Sequence, residues 1–391
     1  DTGGGQLLLD PFNYTIGAAE AGAIVAALAN NNVTIDTTQD VGAQGSSGNA
    51  ADTGIITVNS NLFYDSPNDL TFLAMADLIF NASVQNRNDT DGDINLVAGW
   101  DGTTAYNTAT FAAEDVTNTT VFGNNMGSVF IGTGNQTQGI AVGSRSGATN
   151  AFGYDVNVLG ATNSDGDSGT TGDNTRFGHL GFRITNGTSL DGTNLGSNAI
   201  VDGDITIHAM NSLSAIAGND VDNYAKVGHV GPDRSGDRAT PEAAASSDIE
   251  ISTGGDIDFR GGSGISATAQ LGQGGDAANG NFTGTITITR AGDLNFLAGD
   301  GSAAYVQLGN GGFAPTGSSD PVGNKSGTIL ILDVNDILFM GGGGRNSYTH
   351  LGNGGRAARG NNSGDVTIVS ANDIIFQAGT GDFSTASFGQ H

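Results

Sequence analysis

Five apolar anchors, Ile205, Ile249, Ile286, Ile329 and Val366, are each followed 22 residues later by an apolar residue and a glycine. The pairs are Val227-Gly228, Leu271-Gly272, Leu308-Gly309, Leu351-Gly352 and Phe388-Gly389, while the anchors themselves lie 44, 37, 43 and 37 residues apart. The offset is constant and the period is not, so all the variation falls in the loop after the glycine. Fixed strands joined by elastic loops are the signature of a stacked solenoid. A unit with one apolar edge cannot bury its core alone, and stacking supplies the missing surface.

Within each copy the pattern is β chemistry: short runs of Val, Ile, Leu, Phe and Thr, such as TITIT at 285–289, separated by Gly, Asn and Asp. Seven residues past four of the anchors stand Asp256, Asp293, Asp336 and Asp373, and three further on Phe259, Phe296, Phe339 and Phe376. In a parallel β-helix, rungs about 4.8 Å apart turn such columns into ladders. The phenylalanines are expected to stack inside. Bare carboxylates at that spacing would repel, so each aspartate is expected to close an Asx-turn on its own backbone. Gly272, Gly309 and Gly352 fit a sharp corner that needs positive φ. The column Lys226, Gln270, Gln307 and His350, just before the apolar-glycine pair, accepts such different side chains that it reads as a solvent face. One triangular rung per repeat fits the spacing best; two flatter rungs also satisfy it. The fold expected is an all-β right-handed parallel β-helix with long loop insertions and at most one short helix.

In chain order, residues 1–100 read as the start of this solenoid. Strands are expected around Phe12 to Ile16, at 32–36, Ile55 to Val58, Leu70 to Leu73, Leu78 to Phe80 and Ile94 to Val97. The alanine-rich segment 18–30 is the one convincing helix candidate. DINLVAG at 93–99 nearly repeats DLNFLAG at 293–299, which suggests that the period already runs there. Residues 101–203 hold strand-like SVFIG, GIAVG and YDVNVLG between long Asn, Thr, Asp, Ser and Gly stretches, and read as solenoid with large insertions. A separate embedded domain is the alternative there. Residues 204–391 are the regular repeats.

Acids outnumber bases 40 to 13, and the only lysines are Lys226 and Lys325. A net charge of −27 repels nucleic acid and anionic headgroups, so neither is an expected partner. No apolar run reaches the 18–20 residues or so that a spanning helix requires. With no cysteine there is no disulfide framework and no thiolate metal site. The chain opens at Asp1-Thr2-Gly3 and reads as a piece of something longer.

The opening carries a recognisable combination: GGQLLLDPFNYTIGAAEAG, then NVTIDT, then GIITVNSNLFYDSPNDLTFLAMADLIFNASV at 54–84. It resembles filamentous haemagglutinin-type exoproteins, the large adhesins of Gram-negative two-partner secretion. The resemblance covers roughly residues 3–100 by motif and 204–391 by architecture. It implies a right-handed β-helix, export through an outer-membrane partner, an extracellular location, and adhesive or matrix roles towards a host cell, surface or glycan. The amino-terminal secretion domain of that family is not in this sequence, and the resemblance chooses no receptor.

Candidate chemistry is sparse. GDSG at 166–169 resembles a serine-protease nucleophile, but the first histidine, His179, follows the serine, against the chymotrypsin-like order. LGNGG lacks the third spaced glycine and the helix of a nucleotide site. Calcium is the small ligand the acidic loops suit best. Its candidates are Asp89, Asp91 and Asp93 in NDTDGDIN and Asp165 and Asp167 in NSDGDSGTTGD. Neither loop satisfies the EF-hand pattern, and solvated acidic loops are the alternative. No cofactor is expected. Ten Asn-X-Ser/Thr sequons occur, among them Asn13, Asn118 and Asn281, as an Asn-, Ser- and Thr-rich chain yields by chance. The function expected is a non-catalytic structural or adhesive segment that self-associates head to tail into fibres, since both ends look uncapped. The alternative is a carbohydrate-binding or lyase-like β-helix. Its arginines, at Arg87, Arg145, Arg260, Arg290 and Arg356, form no compact set with acids.

Overall fold

The computed structural model of the chain describes residues 7–9, 13–37, 54–100, 127–134, 139–161, 174–179, 199–230, 243–275, 280–313, 323–356, 358 and 360–390. They form one parallel β-helix of ten rungs. An 18-stranded sheet supplies two sides of each rung and a 9-stranded sheet the third. The anchors align one above another, Ile205 on Ile249, Ile286, Ile329 and Val366, and so do Val227, Leu271, Leu308, Leu351 and Phe388. Each repeat is therefore a single rung, which settles the choice between one rung and two.

The register follows from side-chain alternation. In Ile249–Thr253 and Ile286–Arg290 the isoleucines at alternate positions are buried while Glu250 and Thr287 between them are only partly covered. Slipping one residue would turn every isoleucine outward. The phenylalanine ladder is present: Phe259, Phe296, Phe339 and Phe376 stack with centroids 5.1, 4.7 and 5.1 Å apart, nearly parallel. Burying each ring is worth roughly 2–3 kcal/mol by area, and the stacked geometry about 1 kcal/mol more.

Four features of the chain differ from their sequence reading. The helix is Ala18–Leu28, and it stands where the first rung would carry a third strand. Ala21, Ile24 and Leu28 enter the core and the helix packs on strand Leu62–Tyr64. On that side the end is covered, not bare. Strands Leu62–Tyr64 and Val84–Asn86 continue the third sheet to the second and third rungs, where three-residue strands gave no periodicity to read. DINLVAG and DLNFLAG lie on different sides of the helix: Ile94–Ala98 pairs within the anchor column, Leu294–Leu297 within the phenylalanine column. Their likeness reflects a shared strand chemistry and not a shared register, although the solenoid does already run through 94–98 as expected. Finally, the Ile205 copy has Ser212 at the corner position, and strand Ile205–Ile216 runs through the corner unbroken, as Thr149–Leu159 does one rung earlier. Pairing from Ile94–Ala98 through Thr149–Leu159 to Ile205–Ile216 makes the described part of 101–203 continuous with the solenoid.

Candidate functional site

The corner aspartates do not close Asx-turns on their own backbone. Asp256 Oδ1 accepts the amide N–H of Asp293 (2.8 Å), Asp293 that of Asp336 (3.3 Å), and Asp336 that of Asp373 (3.2 Å). The same device precedes the anchor strands, where Asp69 accepts from Asp93, Asp93 from Ala148, Asp204 from Asp248 and Asp248 from Thr285. An acid whose next neighbour along the axis is a backbone donor gains a charge-assisted bond, which relieves the repulsion within the column. The rung-to-rung spacing makes that neighbour nearer than a local turn.

This places the calcium candidates. Asp93 is a ladder residue committed to Ala148 at 2.7 Å, with its carboxyl pushed up from the usual range by burial and by nearby Asp69 and Asp91, against the pull of that hydrogen bond. Asp89 and Asp91 are exposed. Asp165, Asp167 and the GDSG segment lie outside the described residues. Among the described residues no three His, Asp or Glu are grouped to hold a metal ion.

The column read as a solvent face is buried. Lys226 is 2% exposed, Gln270 3%, and Gln307 and His350 0%. These side chains do point out of the third sheet, but the chain after the apolar-glycine pair folds back and covers them. Strands Ala199–Val201, Ala243–Ala245 and Gly280–Phe282, continued by bridges at Lys325 and Asn362, make a second layer, with Val230, Ala245 and Phe282 as a small apolar core. Lys226 Nζ donates to the carbonyls of Val230 (2.7 Å) and Gly274 and to Gln270 Oε1 (3.4 Å). One rung on, Gln270 Nε2 donates to Gly309 O (3.0 Å) and Gly311 O (2.9 Å), and Gln307 Nε2 to Gly352 O and Gly354 O. The position selects a long donor that can reach the carbonyls of the next arch, a requirement Lys and Gln both meet.

A second polar column lies beside it. His229 Nδ1 accepts the amide N–H of His179 (2.8 Å), Gln273 that of His229, Asn310 that of Gln273, Asn353 that of Asn310, and Gln390 that of Asn353. The glycines between the two columns are obligatory. Gly228, Gly272, Gly309 and Gly352 have φ of 141°, 141°, 142° and 146°, and a Cβ on Gly309 would lie 2.0 Å from Gly352 O.

Cations crowd the start of this layer. Arg176 and Lys226 are direct register partners and both are buried, an arrangement that like charges disfavour. Burial, then Arg176, pulls the Lys226 amine well below its usual range. The His229 ring is lowered to about 3, by burial first and then by Lys226 and Arg176, against the bond to Gly203 O, which raises it. Nδ1 holds the His179 amide, so Nε2 carries the ring's one proton towards Gly203 O at 2.7 Å. The second lysine, Lys325, is 1% exposed in the same layer, donates to Gly323 O and faces the Phe282 ring, its amine lowered to about 8 by burial. All of these groups are buried; Lys226, His229 and Lys325 are bonded to backbone carbonyls and Arg176 to the Tyr224 hydroxyl, so each ties one stretch of chain to another.

Sequence reasoning missed Phe177-Gly178-His179, a sixth copy of the apolar-glycine pair, in register with Val227-Gly228-His229 and with Gly178 at φ 142°. The tripeptide likeness was the available signal; the 50-residue spacing to the next copy hid it.

No family model, no curated protein and no solved structure matches the chain.

Proposed function

We propose that the chain is a non-catalytic, adhesive structural segment of a secreted surface exoprotein of the filamentous haemagglutinin type, exported from a Gram-negative bacterium through an outer-membrane partner. The observation that supports it most is that the polar ladders spend their hydrogen bonds between rungs. Corner acids, buried amides and Lys226 serve the stack, which suits a rod that presents a surface and leaves catalysis to others. Its ligand on this reading is a host-cell, surface or glycan receptor. End-to-end assembly belongs to the same reading, because a stack of parallel rungs grows through strand edges, which pair readily.

Beads coated with the purified chain, presented to cultured cells and to a panel of immobilised glycans, should be retained by at least one surface, and sedimentation at micromolar concentration should show oligomers. Retention by none would overturn the adhesive reading, and a persistent monomer the end-to-end part. Release of sugar fragments from acidic polysaccharides would put a carbohydrate-active β-helix in its place.

A further inference from the structure

Three sequons that look scattered in the sequence, Asn281-Phe282-Thr283, Asn324-Lys325-Ser326 and Asn361-Asn362-Ser363, occupy one position of the helix on three successive rungs. The bridges Phe282 to Lys325 and Lys325 to Asn362 fix that register. Because alternate residues of a strand face the same way, the inward member of each triplet belongs to the covering layer and the asparagine and hydroxyl face out. Asn281, Asn324 and Asn361 are all exposed, whereas Phe282 and Lys325 are buried. The asparagines form a ladder through one atom only: Asn281 Oδ1 accepts the Asn324 amide at 2.9 Å, and Asn324 Oδ1 the Asn361 amide at 3.1 Å.

The other described sequons differ at the amide nitrogen. Asn32 Nδ2 donates to Asp69, Asn81 Nδ2 to Asn59 and Asn88 Nδ2 to Asp65, and Asn13 is engaged beyond the bond its Oδ1 accepts from Ile55. Among the described residues, the Nδ2 atoms of Asn281, Asn324 and Asn361 have no hydrogen-bond partner. Nδ2 is the atom an N-linked sugar replaces a proton on, and Oδ1, which the ladder uses, stays an acceptor in the product.

We propose that Asn281, Asn324 and Asn361 are N-glycosylation sites, a row of sugars along the outermost edge of the solenoid. In the transfer, Nδ2 bonds to the anomeric carbon of a sugar activated as a nucleotide or lipid diphosphate. The diphosphate leaves with the electron pair of the broken C–O bond, and one Nδ2 proton passes to a base of the transferase. In the folded chain the sequon backbone is tied on both sides, Phe282 N–H to Asn324 O, Lys325 N–H to Asn361 O and Ser326 N–H to Phe282 O, so the transferase meets each asparagine through its open Nδ2. The modified side chains project outward from the rungs. The proposal stands on the register and the open amide, independently of any adhesive role.

The test is peptide-resolved mass spectrometry of the protein purified from the organism that makes it, with protein from a host lacking N-glycosyltransferases as the unmodified reference. Sugar mass on Asn281, Asn324 and Asn361, and none on Asn32, Asn81 and Asn88, is the expected result. Thr283→Ala, Ser326→Ala and Ser363→Ala keep each asparagine and its Oδ1 bond, and each should remove one sugar while the melting temperature of the unmodified protein stays put. Unmodified peptides at all three positions, or equal modification of Asn32, Asn81 and Asn88, would overturn it.

Discussion

The inside of the helix and the covered outer face of its third sheet solve the same problem, stacking one rung on the next, with opposite chemistry. Inside, Phe259, Phe296, Phe339 and Phe376 repeat one residue type, and the contact is area and ring geometry. Outside, Lys226, Gln270, Gln307 and His350 vary, yet the first three reach carbonyls of the arches around them. The apolar ladder is tolerant in direction and strict in size; the polar one is tolerant in residue type and strict in where its donors end. A rod held by the first alone could slide, because stacked rings gain similar area in neighbouring registers. The second fixes which rung meets which, since a buried donor or acceptor left without its partner costs about 1–3 kcal/mol.

The sharpest way to separate the two layers is acid. With its folded value near 3 against about 6.5 unfolded, His229 takes up a proton more readily in the unfolded chain. Stability on its account is therefore intact above about pH 6.5 and falls as pH drops towards 3, by up to roughly 5 kcal/mol in total. Melting followed across that window should show the slope, and His229→Gln, which borrows the solution of Gln273, should make it shallower, the remainder coming from His179, whose ring burial also lowers. A pH-independent melt would show that the outer layer is not a titrating clamp.

Phe296→Ala breaks the inner ladder in its middle and should cost about 3–5 kcal/mol with no pH dependence, read from denaturant unfolding. Smaller, and more telling, is the pair Lys226→Met and Lys226→Gln. Methionine leaves the Val230 and Gly274 carbonyls without their donor and should cost about 2–3 kcal/mol even though it removes a buried amine. Glutamine, already present at the next two rungs, should cost less than half of that. Equal losses would mean that volume, not donation, governs the outer column. Least of all, Asp293→Ala removes a half-buried corner bond to the Asp336 amide and an exposed one to Asn335, and should cost about 1 kcal/mol.

What could be read from the sequence tracks this division. Anchors, the phenylalanine column and the apolar-glycine pairs repeat by residue type, so a constant offset found them. Gly309 and its counterparts could be assigned to positive φ because a glycine held after every third strand has few other reasons. The outer column could not be read: Lys, Gln and His at one position look the same on a wet surface as under a covering layer. What covers them is the segment whose length varies from copy to copy, marked only by isolated apolar residues such as Val230, Ala245 and Phe282. The corner aspartates were found by position but given the wrong partner, because a turn is local in sequence and the next rung is 37 or 43 residues away. In the candidate site, residue types were legible and their direction was not.

Both lysines of this chain are inside it. To any reagent that seeks side-chain amines, the folded rod is blank: acylating dyes, aldehyde fixatives and amine-directed cross-linkers meet no lysine on its flanks. Proteases that cut after lysine find neither bond presented. A surface with this composition offers the outside world carboxylates, amides and hydroxyls, and reserves its two ammonium-bearing side chains for holding its own layers together.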